Sequence, residues 1–100
     1  MPLSDTQRRH LRGLAHHLKP VVMVGQDGLK ATVLAEVDAA LTAHELIKVK
    51  VAAADREERA ALIAEIAAAS GAELVQSIGH VAALFRRNPK KPKVALPRGF

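Results

Sequence analysis

Between Pro20 and Val37 the chain reads PVVMVGQDGLKATVLAEV, and its hydrophobic period changes midway. Val21 to Val24 is a continuous apolar run, too short for a helix and rich in valine, which predicts a strand buried on both faces. From Leu29 to Ala43 the apolar positions Leu29, Val33, Leu34, Val37, Ala40 and Leu41 recur at helical spacing, with Lys30, Glu36 and Asp38 off the stripe. A helix therefore follows the strand almost at once. The hand-over is Gly25-Gln26-Asp27-Gly28.

The flanking segments extend this unit in both directions. Ser4 and Gln7 have capping-box spacing, and Leu11, Leu14, Ala15 and Leu18 continue a helix over residues 5 to 18, until Pro20 ends it. After the central helix, ELIKVKVAAAD alternates: Ile47, Val49 and Val51 face one way, Lys48 and Lys50 the other, as in a strand with one wetter face. Asp55 and Glu58 cap a third helix, and Gly71 stands where its C-terminal cap is expected. AELVQSI and VAALFR then flank Gly79-His80, a two-residue hairpin connection with glycine first, as a type II′ turn prefers. The order αβαβαββ gives an α/β protein of the α+β type: a four-stranded mixed sheet with helices two and three packed on one face.

One hundred residues suit one domain. The net charge of +5 is unevenly placed, because Arg86, Arg87, Lys90, Lys91, Lys93 and Arg98 stand in an acid-free stretch, leaving nine basic against ten acidic groups before it. Residues 1–87 are expected to form the domain and 88–100 a basic, mostly extended tail broken by Pro89, Pro92 and Pro97. Without cysteine there is no disulfide framework and no thiolate chemistry. No apolar run reaches signal or membrane length, so the expectation is a soluble, cytoplasmic protein that uses no membrane.

The glycine-flanked bend is a candidate anion seat. Amides at the start of a helix lack intrahelical acceptors and carry partial positive charge, and glycines let a bare backbone approach a phosphate, through positive φ where needed. The plainer alternative is a tight connection and nothing more. Asp27 would repel phosphate unless its side chain caps the helix, the role expected here, while Lys30 supplies a cation just beyond. Arg12, Lys19, Lys48 and Lys50 complete a possible basic stripe, opposed to the acids of helices two and three. The spacing is neither a Walker loop nor a dinucleotide fingerprint. With two phenylalanines and no Trp or Tyr, the sheet lacks a row of stacking platforms, so recognition would run through phosphate, ribose and shape.

Catalysis and metal binding find little footing. His10, His16 and His17 are not spaced as an i,i+4 chelating pair, Ser4, Ser70 and Ser77 have no nucleophile-elbow context, and Glu57-Glu58 diverge on their helix. The expectation is a non-enzyme with no cofactor, no metal and no small-molecule substrate.

Three separated motifs, LRGLAHHLKPVVMVGQDGL, HELIKVKV and VQSIGHVAALFRR, together resemble the YhbY-type members of the CRM (chloroplast RNA splicing and ribosome maturation) domain family over roughly residues 3 to 87. The resemblance implies a fold like the C-terminal domain of the third bacterial initiation factor. It also implies RNA as partner, in particular ribosomal RNA of large-subunit precursors; the protein is expected to act as a monomer. The contact residues that the resemblance implies are Arg12, Lys19, the loop Gly25, Gln26, Asp27 and Gly28, then Lys48, Lys50 and Arg86; by charge and position Lys30 is expected to join them, with Arg87, Lys90 and Lys91 extending the grip. Asp27 and His80 depart from the more basic family pattern and lower the local positive charge. A reading of another class is a protein-interaction module docking on a ribosomal or assembly protein through helix one, where Gly13 would serve close packing.

Overall fold

The computed structural model describes residues 3–25, 29–53 and 55–96. Along them run α1 (Asp5–Ala15), β1 (Pro20–Val24), α2 (Ala31–His44), β2 (Leu46–Val51), α3 (Arg56–Ser70), β3 (Glu73–Ile78) and β4 (Val81–Phe85). The strands form one sheet in the order β1-β2-β4-β3. β1 and β2 pair parallel across the α2 crossover, and β4 pairs antiparallel with both β2 and β3. β3 therefore runs parallel to β2 with β4 between them.

The strand alternation builds two cores. Val22, Val24, Ile47, Val49, Val51, Ala82 and Leu84 point to the face covered by Val37 and Leu41 of α2 and by Ile63 and Ile66 of α3. On the opposite face Leu11 and Ala15 of α1 meet Leu46, Val75, Ala83 and Phe85, with Leu3, Val94 and Leu96 at the margin. Each fully buried aliphatic side chain is worth roughly 1.5–3 kcal/mol, so both layers hold the sheet.

Local signals set the boundaries. Ser4 Oγ accepts from the Gln7 amide and Gln7 Oε1 from the Ser4 amide, both at 3.1 Å, closing the capping box of α1. Asp55 Oδ1 caps α3 by accepting from the Glu58 amide at 2.7 Å, and Gly71 ends that helix in the left-handed region, φ 72°. Gly79 has φ 57° while His80 stays at negative φ, as a type II′ turn requires.

Several expectations are corrected. Helix one stops at Ala15, three residues early, and residues 16–19 turn into β1 through 3₁₀-type bonds from His17 to Leu14 and from Leu18 to Ala15. Lys19, preceding Pro20, is biased toward extended backbone, which prevents a longer helix. β1 is buried on one face only, because it is the sheet's edge strand, and Val21 and Met23 are exposed. Helix two begins at Ala31, two residues later than the period suggests, with Lys30 at the cap position. Gly25 does not use positive φ, and Gly13 has open space where a Cβ would stand, so neither a left-handed turn at Gly25 nor packing within the domain at Gly13 explains them. The readings placed on Gln26, Asp27 and Gly28 lie outside the described residues.

Residues 88–96 carry neither helix nor strand and lie back on the α1 side of the sheet, where Val94 and Leu96 touch the second core. Their anchor is Glu45, which is fully buried and sits at φ 64° between α2 and β2. Its carboxylate accepts from the amides of Asn88 (2.5 Å), Lys93 (2.6 Å) and Val94 (2.8 Å) and from Arg87 Nη1 (3.2 Å). Burial by itself would raise the Glu45 pKa, but these donors outweigh it and hold the carboxyl below its ordinary value.

Candidate functional site

The side chains of the sheet's α1 face lie in rows. Leu46, Phe85 and Glu73 share the first, and α1 covers it. The next row is Pro20–Lys48–Ala83–Gln76, and the last is Met23–Lys50–Val81–Ile78. α1 is too short to reach this far. Met23 and Ile78 are 64% and 66% exposed, and Lys50 stands between them. Pro20, Lys48, Gln76, Ile78 and Val81 line a shallow hollow of about 230 Å³.

No carboxylate occurs on β1, β2 or β4. The one acid of β3, Glu73, lies at the covered end, where it accepts from the Leu3 amide and pairs with Arg8 at 3.6 Å. The open half of the face is therefore aliphatic and cationic. Lys48 and Lys50 reach it because the period-two alternation that buries Ile47, Val49 and Val51 turns them the other way.

Beyond the last row the strand ends gather. The Ala52 amide donates to Val24 O and the Val51 amide to His80 O, which places Gly25, the hairpin turn and the starts of α2 and α3 at one end of the sheet. The two helix starts differ in charge. α3 brings its own anions, Asp55, Glu57 and Glu58, whereas α2 has no acid in its first turn and no side-chain cap from Lys30. The first intrahelical bond of α2 runs from the Leu34 amide to Lys30 O, so the amides of residues 31–33 precede it. By the charges of the described residues, an anion is favoured at the first turn of α2 and disfavoured at that of α3.

Of the residues expected at the site, the structure brings Gly25, Lys30, Lys48 and Lys50 to this end. Arg12 is exposed on α1, and Lys19 lies at the opposite end of β1, lining a concavity that Lys93 also lines. Lys90 and Lys91 are exposed in the tail, their amides bound to Asn88 Oδ1. Arg86 and Arg87 are engaged internally. Arg86 donates to Asp38 Oδ1 (2.6 Å), Ser70 O (2.9 Å) and Thr42 Oγ1 (2.9 Å), tying α2 to the end of α3. Arg87 reaches Glu45 and Val94 O and lies 5.8 Å from the Phe85 ring centroid.

Sequence reasoning passed over Met23, Gln76, Ile78 and Glu45. The first three follow from strand parity once the register is known. Glu45 is harder: an acid between Leu41 and Leu46, both buried, is the sole local signal, and no propensity marks a glutamate at positive φ. Among the described residues no cluster of His, Asp or Glu could hold a metal ion, and no helix is long and apolar enough to cross a membrane.

Comparisons with known proteins agree with this architecture. An RNA-binding protein of Haemophilus influenzae is 52% identical over 96 residues, covering 96% of each chain. A protein of Pseudomonas aeruginosa named "Probable RNA-binding protein" is 50% identical over 93 residues, 93% of this chain and 89% of its own. The solution structure of a hypothetical protein from Staphylococcus aureus superposes with a TM-score of 0.84 at 31% identity, covering 96% of this chain and all of that one. The CRS1/YhbY (CRM) domain model matches residues 3–86. On sequence, fold and coverage alike, the chain belongs to the CRS1/YhbY (CRM) domain family.

Proposed function

We propose that the protein binds RNA through the open half of the sheet, acting without catalysis and as a monomer on ribosomal RNA of large-subunit precursors. The observation that carries the reading is the double row around Lys48 and Lys50, whose strands bring no acid to it among the described residues, ending at a helix with no acid in its first turn. The names of the relatives support RNA as the ligand, and the family resemblance supports the ribosomal precursor as its source.

The mechanism follows from the charges. Lys48 and Lys50 neutralise backbone phosphates, and the aliphatic tops of Met23, Val81 and Ile78 meet ribose. Gly25 to Gly28 and the first amides of α2 seat a further phosphate, with Lys30 and Lys19 at the two ends of the track and Arg12 and Lys90 to Lys93 beyond. Arg86 and Arg87 are left out, because their guanidinium groups hold the fold.

Binding of ribosomal RNA fragments measured across a salt series tests this. Lys48→Gln and Lys50→Gln should each reduce the slope of log K against log salt by about one contact's worth, roughly 0.7–0.9. Unchanged slopes would place the RNA elsewhere. Binding to assembling particles that ignores salt would favour a protein dock instead. Nucleotide-level crosslinking in those particles checks the ribosomal assignment.

A further inference from the structure

A second concavity, of about 810 Å³, lies at the other end of β1, where α1, the 16–19 turn, the end of α2 and the tail converge. Its volume falls within the roughly 300–1,000 Å³ typical of small-molecule sites. Leu14, Leu18 and Val21 form aliphatic walls and are all exposed. Lys19 and Lys93 stand at the rim with the imidazoles of His10, His17 and His44, and no carboxylate lines the groove among the described residues. These groups come from positions 10 to 93, so the fold alone brings them together.

The tail wall is fixed in place. Glu45 Oε1 accepts from the amides of Lys93 and Val94, Val94 O accepts from Arg87 Nη1 at 2.7 Å, and His10 Nε2 lies 2.9 Å from Ala95 O. A buried carboxylate on strained backbone thus holds the segment that closes the groove. The groove also continues into the lysine rows: from Lys19 the edge strand passes Pro20, paired with Lys48, and Met23, paired with Lys50, to Gly25. At about 3.3 Å per residue this track is roughly 20 Å long.

We infer that this groove takes an unstacked base of single-stranded RNA, with the flanking phosphates on Lys19 and Lys93. The inference rests on the proposed function and adds to it the strand state of the ligand. Charge complementarity selects the occupant: a cationic, acid-free rim over an apolar floor matches a nucleotide, whose base is flat and apolar on its faces and whose neighbours are anions. Imidazole rings serve as stacking partners for splayed bases, which supplies what the missing Trp and Tyr do not. A duplex, whose bases are inside the stack, cannot enter.

The test uses the full chain and a short RNA in three forms: single-stranded, annealed to its complement, and with one base removed. Leu18→Ser combined with Val21→Ser alters two exposed walls without changing charge, and Ala43→Trp fills the groove from α2, guarding against an effect on folding in either variant. Both variants should bind the single strand about tenfold more weakly, the size of one lost base contact, with the salt slope and the duplex affinity unchanged. Wild-type affinity should fall similarly for the RNA lacking a base. If wild type binds RNA and both variants bind the single strand equally well, the groove proposal falls and the sheet reading stands. Loss of an acidic apolar peptide probe with RNA binding intact would also overturn it, making the groove a protein dock. No RNA binding by wild type, in any form, would overturn both.

Discussion

Replacing Glu45 with Gln keeps the side chain's shape and removes its charge. The strained φ of 64° remains in both proteins, so its cost, about 1–3 kcal/mol, cancels in the comparison. What changes is the acceptor set. One carboxylate oxygen serves Lys93 and Val94, and the other serves Asn88. Whichever way the Gln amide turns, its nitrogen faces an N–H donor. The variant loses at least one hydrogen bond to a charged group, worth about 1.5–3 kcal/mol, and the remaining bonds weaken because they are no longer charge-assisted. Release of the tail into water caps the loss, giving an expected destabilisation of about 2–3 kcal/mol at neutral pH in urea titrations. Hydrogen exchange should lose its protection at the Lys93 and Val94 amides. The pH dependence has a definite sign. The folded carboxyl titrates below its ordinary value of 4.5, so its stabilisation is complete above the unfolded value and drains away as pH falls through the folded one. The stability curves of wild type and variant should therefore converge in acid. A loss under about 0.5 kcal/mol, within the range of neutral surface changes, with tail protection retained, would refute the clasp.

Other substitutions probe separate links. Gly25→Ala adds a Cβ into open space at a φ that alanine tolerates, so melting should be unchanged while RNA affinity drops; unchanged affinity would show that no ligand approaches that backbone. Arg86→Gln should cost about 1–3 kcal/mol of stability through its lost bonds to Ser70 O and Thr42, with no change in the RNA salt slope. A reduced slope would return Arg86 to the interface. Gly13→Ala should raise stability by about 0.5–1 kcal/mol in thermal melts, since the exposed helix position has nothing within 4 Å of the new methyl. If affinity for RNA or for an assembly protein falls instead, the outer face of α1 is a contact surface.

The element order was legible because each element carries its own period. Ile47, Val49 and Val51 could not be anything but one face of a strand, and Asp55 and Gly71 mark the ends of α3 by side-chain and backbone chemistry that is local. What was not legible depends on contacts between distant segments. The apolar run Val21–Val24 looks buried on both sides, yet β1 is an edge strand whose outer face α1 does not reach. Arg86 and Arg87 look like the start of a basic arm, because the sequence does not show that Asp38, Ser70 and Glu45 receive them. Lys48 and Lys50 were identified by parity, but their surroundings, Met23 on one side and Val81 and Ile78 on the other, required the register. Lys93 joins Lys19 only through the fold-back of the tail.

The most direct test of the central claim is an amide-resolved NMR titration of the full chain with single-stranded ribosomal RNA. Perturbations are expected at Met23 to Gly25, Lys48 to Lys50 and Gln76 to Val81, with the outer surfaces of α2 and α3 silent. Perturbations confined to those helices, with the Lys48 and Lys50 amides unmoved, would contradict it.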